Sequence, residues 1–117
     1  MPSRQQLRER IDRELAAGWE LFLAERGRQV VGMLALRPVD GILDQIFVLP
    51  EQEASGIGTA LITMAKRRMP EGFSLRMAAA NGRAARFYDR SGLVLTGKGT
   101  HPISGAPVCY YRWQTRQ

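Results

Sequence analysis

The feature that most narrows the choice of fold is an apolar run, Val30-Val31-Gly32-Met33-Leu34-Ala35-Leu36. Successive residues of a strand face opposite sides of a sheet, so a run that is apolar at every position predicts a strand covered on both faces. A polar connection that contains glycine, residues 25–29, separates this run from the apolar residues 19–24 and predicts a hairpin. The chain is therefore expected to form a sheet with other elements packed on its two faces.

Helical and strand patterns alternate along the chain. Helical periodicity is present in three segments, residues 3–18, Gly58–Met69 and Asn81–Gly92. The first segment carries an apolar stripe of Leu7, Ile11 and Leu15. Further strand patterns cover residues 42–48, 73–80, 93–95 and 108–113, and a loop rich in glycine and proline is expected from Gly97 to Pro107. This order predicts a mixed α/β sheet with helices on its faces, in a single domain of residues 1–117.

Composition limits the class of protein and of partner. Of the 117 residues, 44% are hydrophobic, which is enough for one core without metals, and Cys109 is the only cysteine, so no internal disulfide forms. No stretch approaches the roughly 20 apolar residues that cross a membrane, and we expect a soluble, cytoplasmic protein. The 17 Lys and Arg residues against 11 Asp and Glu residues give a formal charge of +6, which favours a polyanionic partner such as nucleic acid or a phosphorylated cofactor.

Residues 48–61 combine a strand end, a turn with Gly56 and Gly58, and the start of the strongest helical pattern. N–H groups at a helix start have no partner inside the helix and lie at the positive end of its dipole, and glycine lets an anion approach the main chain. Two glycines alone are also compatible with a tight connection that binds nothing. The functional interpretation is a pyrophosphate resting on residues 56–60.

Two motifs resemble those of the GNAT superfamily of acyl-CoA-dependent N-acetyltransferases. Its acyl-CoA signature, a Val-x-Pro followed by Gln/Arg-x-x-Gly-x-Gly/Ala and a helix, is matched by Val48, Pro50, Gly56 and Gly58. Residues 81–93 resemble the family's Asn-x-x-Ala-x-x-Phe-Tyr-x-x-x-Gly-Phe block, with Leu93 in place of the usual aromatic residue. The resemblance covers residues 42–93 and implies a mostly antiparallel mixed sheet flanked by helices, shortened at its N-terminus by a strand and a helix.

The resemblance implies a site for acetyl-CoA and no metal. In such a site the helix start holds the pyrophosphate, the preceding strand bonds the pantetheine through its backbone, and the asparagine of the second motif helps to hold the cofactor. The cofactor-binding residues implied in this way, together with one compensating arginine, are Phe47, Val48, Leu49, Ser55, Gly56, Ile57, Gly58, Thr59, Ala60, Asn81 and Arg86.

Tyr88 matches the family tyrosine that protonates the leaving thiolate. The role suits a phenol because its reference pKa of about 10 lies near that of a thiol. The structural alternative is that Tyr88 packs beside Phe87 with its hydroxyl bonded to the backbone.

Deprotonation of the amine needs a general base, and Asp44, on the strand leading to the cofactor, is the first candidate. His101, the only histidine, and a water molecule are the others.

Two departures from the family pattern bear on this hypothesis. Glu53 occupies the position of the usual Gln or Arg, and Ala54-Ser55 replaces the common Gly-Lys or Gly-Arg pair. An acidic side chain there should weaken pyrophosphate binding unless an arginine compensates, with Arg67, Arg83 and Arg86 as candidates.

Because the N-terminal elements are missing, a partner subunit is expected to cover the apolar stripe of the first helix, which predicts a homodimer.

The leading hypothesis is transfer of an acetyl group from acetyl-CoA to a primary amine by direct attack on the thioester. The alternative, favoured by Glu53 together with the missing N-terminal elements, is a non-catalytic acyl-CoA-binding or protein-interaction module on the same fold. Nucleic-acid binding along Lys66, Arg67 and Arg68 is disfavoured, because few aromatic residues are interleaved with these charges. The sequence leaves the acceptor amine open, and the loop from Gly97 to Pro107 is expected to select it.

Overall fold

The computed structural model describes residues 4–16 and 19–114 of the chain. Its helices are α1 (Arg4–Ala16), α2 (Ile57–Arg68) and α3 (Gly82–Arg90). Its strands are β1 (Glu20–Arg26), β2 (Gln29–Arg37), β3 (Ile42–Val48), β4 (Phe73–Ala78), β5 (Val94–Thr100) and β6 (Pro107–Trp113). Short 3-10 helices, Pro38–Asp40 and Pro50–Ser55, precede β3 and α2. The strands form one sheet in the order β1-β2-β3-β4-β6-β5, antiparallel except between β3 and β4, so the predicted mixed, mostly antiparallel sheet is confirmed.

The strand β2 is covered on both faces, as its apolar run predicts. Leu34 and Leu36 belong to a core that α2, β4 and α3 complete. Val31, Met33 and Ala35 belong to a second core, which α1 completes. Because alternate residues of a strand face opposite sides, β2 separates the two cores, and residues 33–36 have no exposed surface.

The apolar stripe of α1 packs on the sheet of its own chain. Leu7 is 2% exposed in the second core, and Ile11 packs against the same core. The side chain of Leu15 lies outside the described residues. The expectation that a partner subunit covers this stripe is therefore wrong for Leu7 and Ile11, because the second apolar face of β2 already covers them.

Helices α2 and α3 pack on the first core. The buried residues of α2 are Leu61, Ile62 and Ala65, and Met64 packs partly buried against the same core, so the predicted apolar face is confirmed and Ile62 extends it. Helix α3 begins where its cap was predicted, since the Asn81 side chain accepts the Ala84 N–H at 3.1 Å. None of the helices in residues 4–16 and 19–114 is long and apolar enough to cross a membrane.

The C-terminal strands are longer than the sequence suggested. The predicted loop from Gly97 to Pro107 is wrong in its first part, because β5 continues to Thr100 and pairs there with Pro107 of β6. The turn itself covers residues 101–106, where the His101 N–H donates to the Ala106 carbonyl at 2.8 Å. Glycine weakens a strand, but the Tyr110 ring of β6 lies against Gly99, within 3.3 Å of where a Cβ would be. A cross-strand aromatic ring compensates in this way for a missing side chain.

The strands β3 and β4 diverge in the middle of the sheet. They form the one parallel pair of the described sheet and are in register at a single position, Ile42 with Ser74. The Ser74 N–H also donates to the Gly41 carbonyl at 2.9 Å, just before β3 begins. Beyond these contacts the ladder is interrupted, and the resulting gap positions the candidate site.

Candidate functional site

Two grooves adjoin the gap between β3 and β4. The first, which we call the α3 groove, has a volume of about 550 Å³ and is lined by the end of β3, the start of α2 and α3. The second, the β4 groove, has a volume of about 690 Å³ and is lined by the start of β3, β4 and the turn between β5 and β6. Successive residues of β3 divide between them, since Gln45 lines the β4 groove and Ile46 the α3 groove. The grooves therefore adjoin along one strand.

The start of α2 leaves backbone donors without a partner inside the helix. Gly56 precedes the helix with φ +85°, a left-handed conformation that glycine adopts without strain, and it is exposed. The first bond across this turn runs from the Ala60 N–H to the Gly56 carbonyl at 3.0 Å. The N–H groups of residues 57–59 precede this bond, so they have no acceptor within α2. With the positive end of the helix dipole, they form a favourable position for an anion.

Gly58 allows α2 to approach α3 closely. A Cβ at this position would lie 3.3 Å from Phe87 Cζ and 3.9 Å from Val48 Cγ2. Gly58 also lines the α3 groove, as the prediction of a cofactor-binding residue requires. Its missing side chain therefore serves helix packing, a reason that the motif alone does not reveal.

The end of β3 turns part of its backbone toward the gap. The Leu49 N–H donates to the Val31 carbonyl at 2.8 Å, so the backbone of Leu49 faces β2. Backbone groups of successive strand residues face opposite edges, which directs those of Val48 and Ile46 away from β2. An extended chain lying in the gap can bond to these groups as an added strand would. Of the predicted Phe47, Val48 and Leu49, Val48 is the residue with this orientation.

Tyr88 contributes a buried phenol to the α3 groove. Its side chain is 7% exposed, and its ring centroid lies 5.4 Å from that of Phe87 and 5.8 Å from that of Tyr111. Burial raises the pKa of the Tyr88 phenol to about 12. Among residues 4–16 and 19–114, no hydrogen bond involves its hydroxyl, in contrast to the structural alternative of a hydroxyl bonded to the backbone. The hydroxyl is therefore a protonated donor without a protein acceptor in the described part of the chain.

Asp44 lies at a β-bulge in the wall of the β4 groove. The β2–β3 register pairs Ala35 with Gln45 but Leu36 with Leu43, so Asp44 is the extra residue on β3. Bulges redirect a side chain and are frequent next to active sites. Asp44 is half-buried, and within the described residues it takes part in none of the ion pairs. Its carboxylate is therefore available to a ligand in the groove.

His101 organises the turn that closes the β4 groove. Its Nδ1 accepts the N–H groups of Ile103 at 3.1 Å and Ser104 at 3.3 Å. This network assigns the proton of the neutral ring to Nε2, which lies 3.5 Å from Arg76 Nη2. In this tautomer both ring nitrogens are occupied, one by the turn and the other by its proton. The geometry therefore favours Asp44 over His101 as an acceptor of a proton from an amine.

Comparison with known proteins identifies the family. Residues 2–93 match the sequence model of the Acetyltransferase (GNAT) family. The chain belongs to the GNAT family. A relative named "Probable N-acetyltransferase Rv2775", from Mycobacterium tuberculosis, is 30% identical in an alignment 99 residues long that covers 78% of this chain and 57% of the relative. The chain therefore spans little more than half the length of that relative.

Solved GNAT structures share the fold of this chain. A GNAT family acetyltransferase from Elizabethkingia anophelis, determined with acetyl-CoA bound, superposes with a TM-score of 0.72 at 20% identity, over 92% of this chain and 82% of the other. A variant of the spermidine N-acetyltransferase of Vibrio cholerae gives a TM-score of 0.68 at 19% identity, over 96% and 75% of the two chains. At these identities the likeness concerns the fold.

The structure brings most of the predicted GNAT site residues together. Those that line the α3 groove are Phe47, Val48, Gly58, Asn81 and Tyr88. Gly56, Ile57, Thr59 and Ala60 form the adjacent helix start, whereas Leu49 is buried. The side chains of Glu53 and Ser55 lie outside the described residues, so the predicted effect of Glu53 stays a prediction. Asp44 lies in the other groove.

The arginines of α3 are arranged differently from the prediction. Arg83 and Arg90 line the α3 groove, whereas Arg86 is exposed and does not line it. Residues seven apart lie on the same side of a helix, so the spacing of Arg83 and Arg90 was the signal that could have identified Arg90. The Asn81 carbonyl oxygen caps α3, which leaves its amide NH₂ as the group for a ligand.

Proposed function

We propose that this GNAT chain, as a single domain of residues 1–117, transfers an acetyl group from acetyl-CoA to a primary amine. The observation that carries the proposal is that the α3 groove combines an open helix start, a strand edge facing a gap, and the buried phenol of Tyr88. The homodimer stays a prediction, and light scattering of the purified protein tests it.

The α3 groove has the donors that acetyl-CoA requires. The N–H groups at the start of α2 suit a diphosphate, because they have no acceptor within the helix and lie at the positive end of its dipole. The backbone of Val48, facing the gap, suits the amide-containing pantetheine arm. Arg83, Arg90 and the Asn81 amide add donors for phosphate or ribose oxygens along α3.

In direct transfer, acetyl-CoA occupies the α3 groove and the acceptor amine occupies the β4 groove. The amine nitrogen, approaching from the β4 groove, forms a bond to the acetyl carbon while the carbon–sulfur bond breaks. Asp44, directly or through a water molecule, takes the proton that the amine loses. Tyr88 gives its hydroxyl proton to the leaving thiolate. Burial raises the pKa of the Tyr88 phenol, and it acts in the same direction on a thiol, because both have anionic conjugate bases.

Acetyl-CoA binding, measured by calorimetry, tests the proposal before an acceptor is known. The most direct variant is Thr59→Glu, because Thr59 is exposed in the first turn of α2, where a carboxylate competes with the diphosphate without disturbing the helix. Thr59→Gln is the matched control, with the same size and no charge. We expect saturable binding by the parent and the Gln variant, and an affinity at least about tenfold lower for the Glu variant.

The acetyl-CoA titration also distinguishes the competing functions. Absence of binding by a folded parent would contradict the proposal that the α3 groove binds acetyl-CoA. Binding without release of thiol in the presence of any amine would favour the non-catalytic acyl-CoA-binding module. Equal affinity of the Glu and Gln variants would place the diphosphate elsewhere.

A further inference from the structure

The charges of the β4 groove restrict the acceptor that it can bind. Two guanidinium groups, of Arg37 and Arg76, line this groove together with one carboxylate, that of Asp44. A polycationic amine needs several acidic partners, because unbalanced like charges in one cleft repel it. The β4 groove is therefore poorly suited to a polyamine. Because Asp40 pairs with Arg37, one guanidinium and one carboxylate are left for a ligand.

Arg76 is the cation with unused binding capacity. Arg37 is already engaged, since its Nη2 lies 3.0 Å from Asp40 Oδ2 and its guanidinium lies 4.4 Å from the centre of the Trp19 ring. Arg76 is exposed, and among the described residues it forms no ion pair; its one polar contact is the 3.5 Å approach to His101 Nε2. A guanidinium binds a carboxylate or a phosphate with two parallel hydrogen bonds.

Resting on the proposed function, we propose that the acceptor is an amine that also carries an anionic oxyacid group, a carboxylate or a phosphate, bound by Arg76. Asp44 and Arg76 then divide the two ends of the acceptor, with the amine directed to the carboxylate of the bulge and the anion to the guanidinium of β4. The 690 Å³ groove leaves room for a small zwitterionic molecule between them. The turn at His101, whose imidazole is fixed by two backbone N–H groups, lies beside Arg76 at the edge of the groove.

The test compares acceptors that differ only in the group remote from the amine. The panel consists of ω-amino carboxylates of increasing chain length, the carboxamide of each, ω-aminoalkyl phosphates and diamines. Thiol release gives kcat/KM for the parent, for Arg76→Gln and for Arg28→Gln, a control with the same charge change in the exposed β1–β2 turn. Amide shifts of His101 and of residues 103–106 report binding of the same amines without turnover.

We expect the parent to prefer an anionic acceptor over its carboxamide by at least about tenfold, as a charge-assisted hydrogen bond requires. Arg76→Gln should remove most of this preference, because it should lower kcat/KM for the anionic acceptor and not for the carboxamide. Arg28→Gln should retain the preference. A parent that prefers diamines or carboxamides, or an Arg76→Gln variant that keeps the preference, would overturn the proposal. If no amine is acetylated, the proposed function fails, and binding decides the inference: anion-dependent shifts that Arg76→Gln abolishes support it, and their absence in the parent overturns it.

Discussion

The α3 groove and the β4 groove share one strand but differ in the chemical groups that line them. The α3 groove relies on backbone donors, glycines and one buried phenol, whereas the β4 groove relies on charged side chains from a bulge, a strand and a turn. Backbone donors suit a ligand of fixed chemistry, such as a diphosphate, because they vary little with sequence. Partly exposed side chains can change without altering the fold, so under the proposed function we expect the β4 groove to set specificity.

Replacing Tyr88 by Phe should have the largest effect and should be confined to chemistry. The ring packing is retained and the proton donor is lost, so kcat should fall by about a hundredfold or more while acetyl-CoA affinity changes little. Because the hydroxyl is buried without a protein partner among the described residues, the melting temperature should not fall. Steady-state kinetics, calorimetry and a thermal melt check these points. An unchanged kcat would return Tyr88 to a packing role.

Of the two acid–base candidates in the β4 groove, Asp44 should lower kcat/KM more than His101 when it is replaced. Asp44→Asn removes a proton acceptor with little change in shape, and kcat/KM should fall by about tenfold to a hundredfold, with a water molecule replacing part of the function. His101→Asn keeps a side-chain acceptor for the turn and should change kcat/KM by only about a few-fold. The thiol-release assay measures both variants. A larger loss for His101→Asn would reverse the assignment of the base.

Gly58 offers a test of how the α3 groove is assembled. A branched side chain at this position overlaps the Phe87 ring, so Gly58→Val should lower the free energy of unfolding by about 1–3 kcal/mol in urea titrations. Ala60→Val is the control, because it places the same side chain on the exposed side of α2 and should cost less than about 1 kcal/mol. Equal losses for the two variants would mean that the contact with Phe87 is unimportant.

The contrast between the grooves also explains what the sequence could predict. The apolar run of β2, the helix starts and the two motifs are local patterns, and they predicted the elements and most of the α3 groove. Gly97 and Gly99 predict a loop because the sequence does not show that Tyr110 pairs with Gly97 and places its ring against Gly99. The stripe at Leu7 was assigned to a partner subunit because its match to the second face of β2 is a tertiary contact.

The β4 groove could not be predicted in the same way. Asp44 was identified by its strand, but its position depends on a bulge in the ladder between β2 and β3. Arg76 and His101 are 25 residues apart and meet only because β4 lies next to β6 and the turn before it. The tautomer of His101 depends on two N–H groups of that turn, which composition does not reveal.

Backbone amide NMR of the labelled protein, titrated first with acetyl-CoA and then with an acceptor amine, tests the division of labour between the grooves most directly. Acetyl-CoA alone should shift the amides of Val48 and of the first turn of α2, and the amine should then shift those of Asp44, His101 and residues 103–106. Acetyl-CoA shifts concentrated in the β4 groove, or their absence from the start of α2 in a folded protein, would contradict the account.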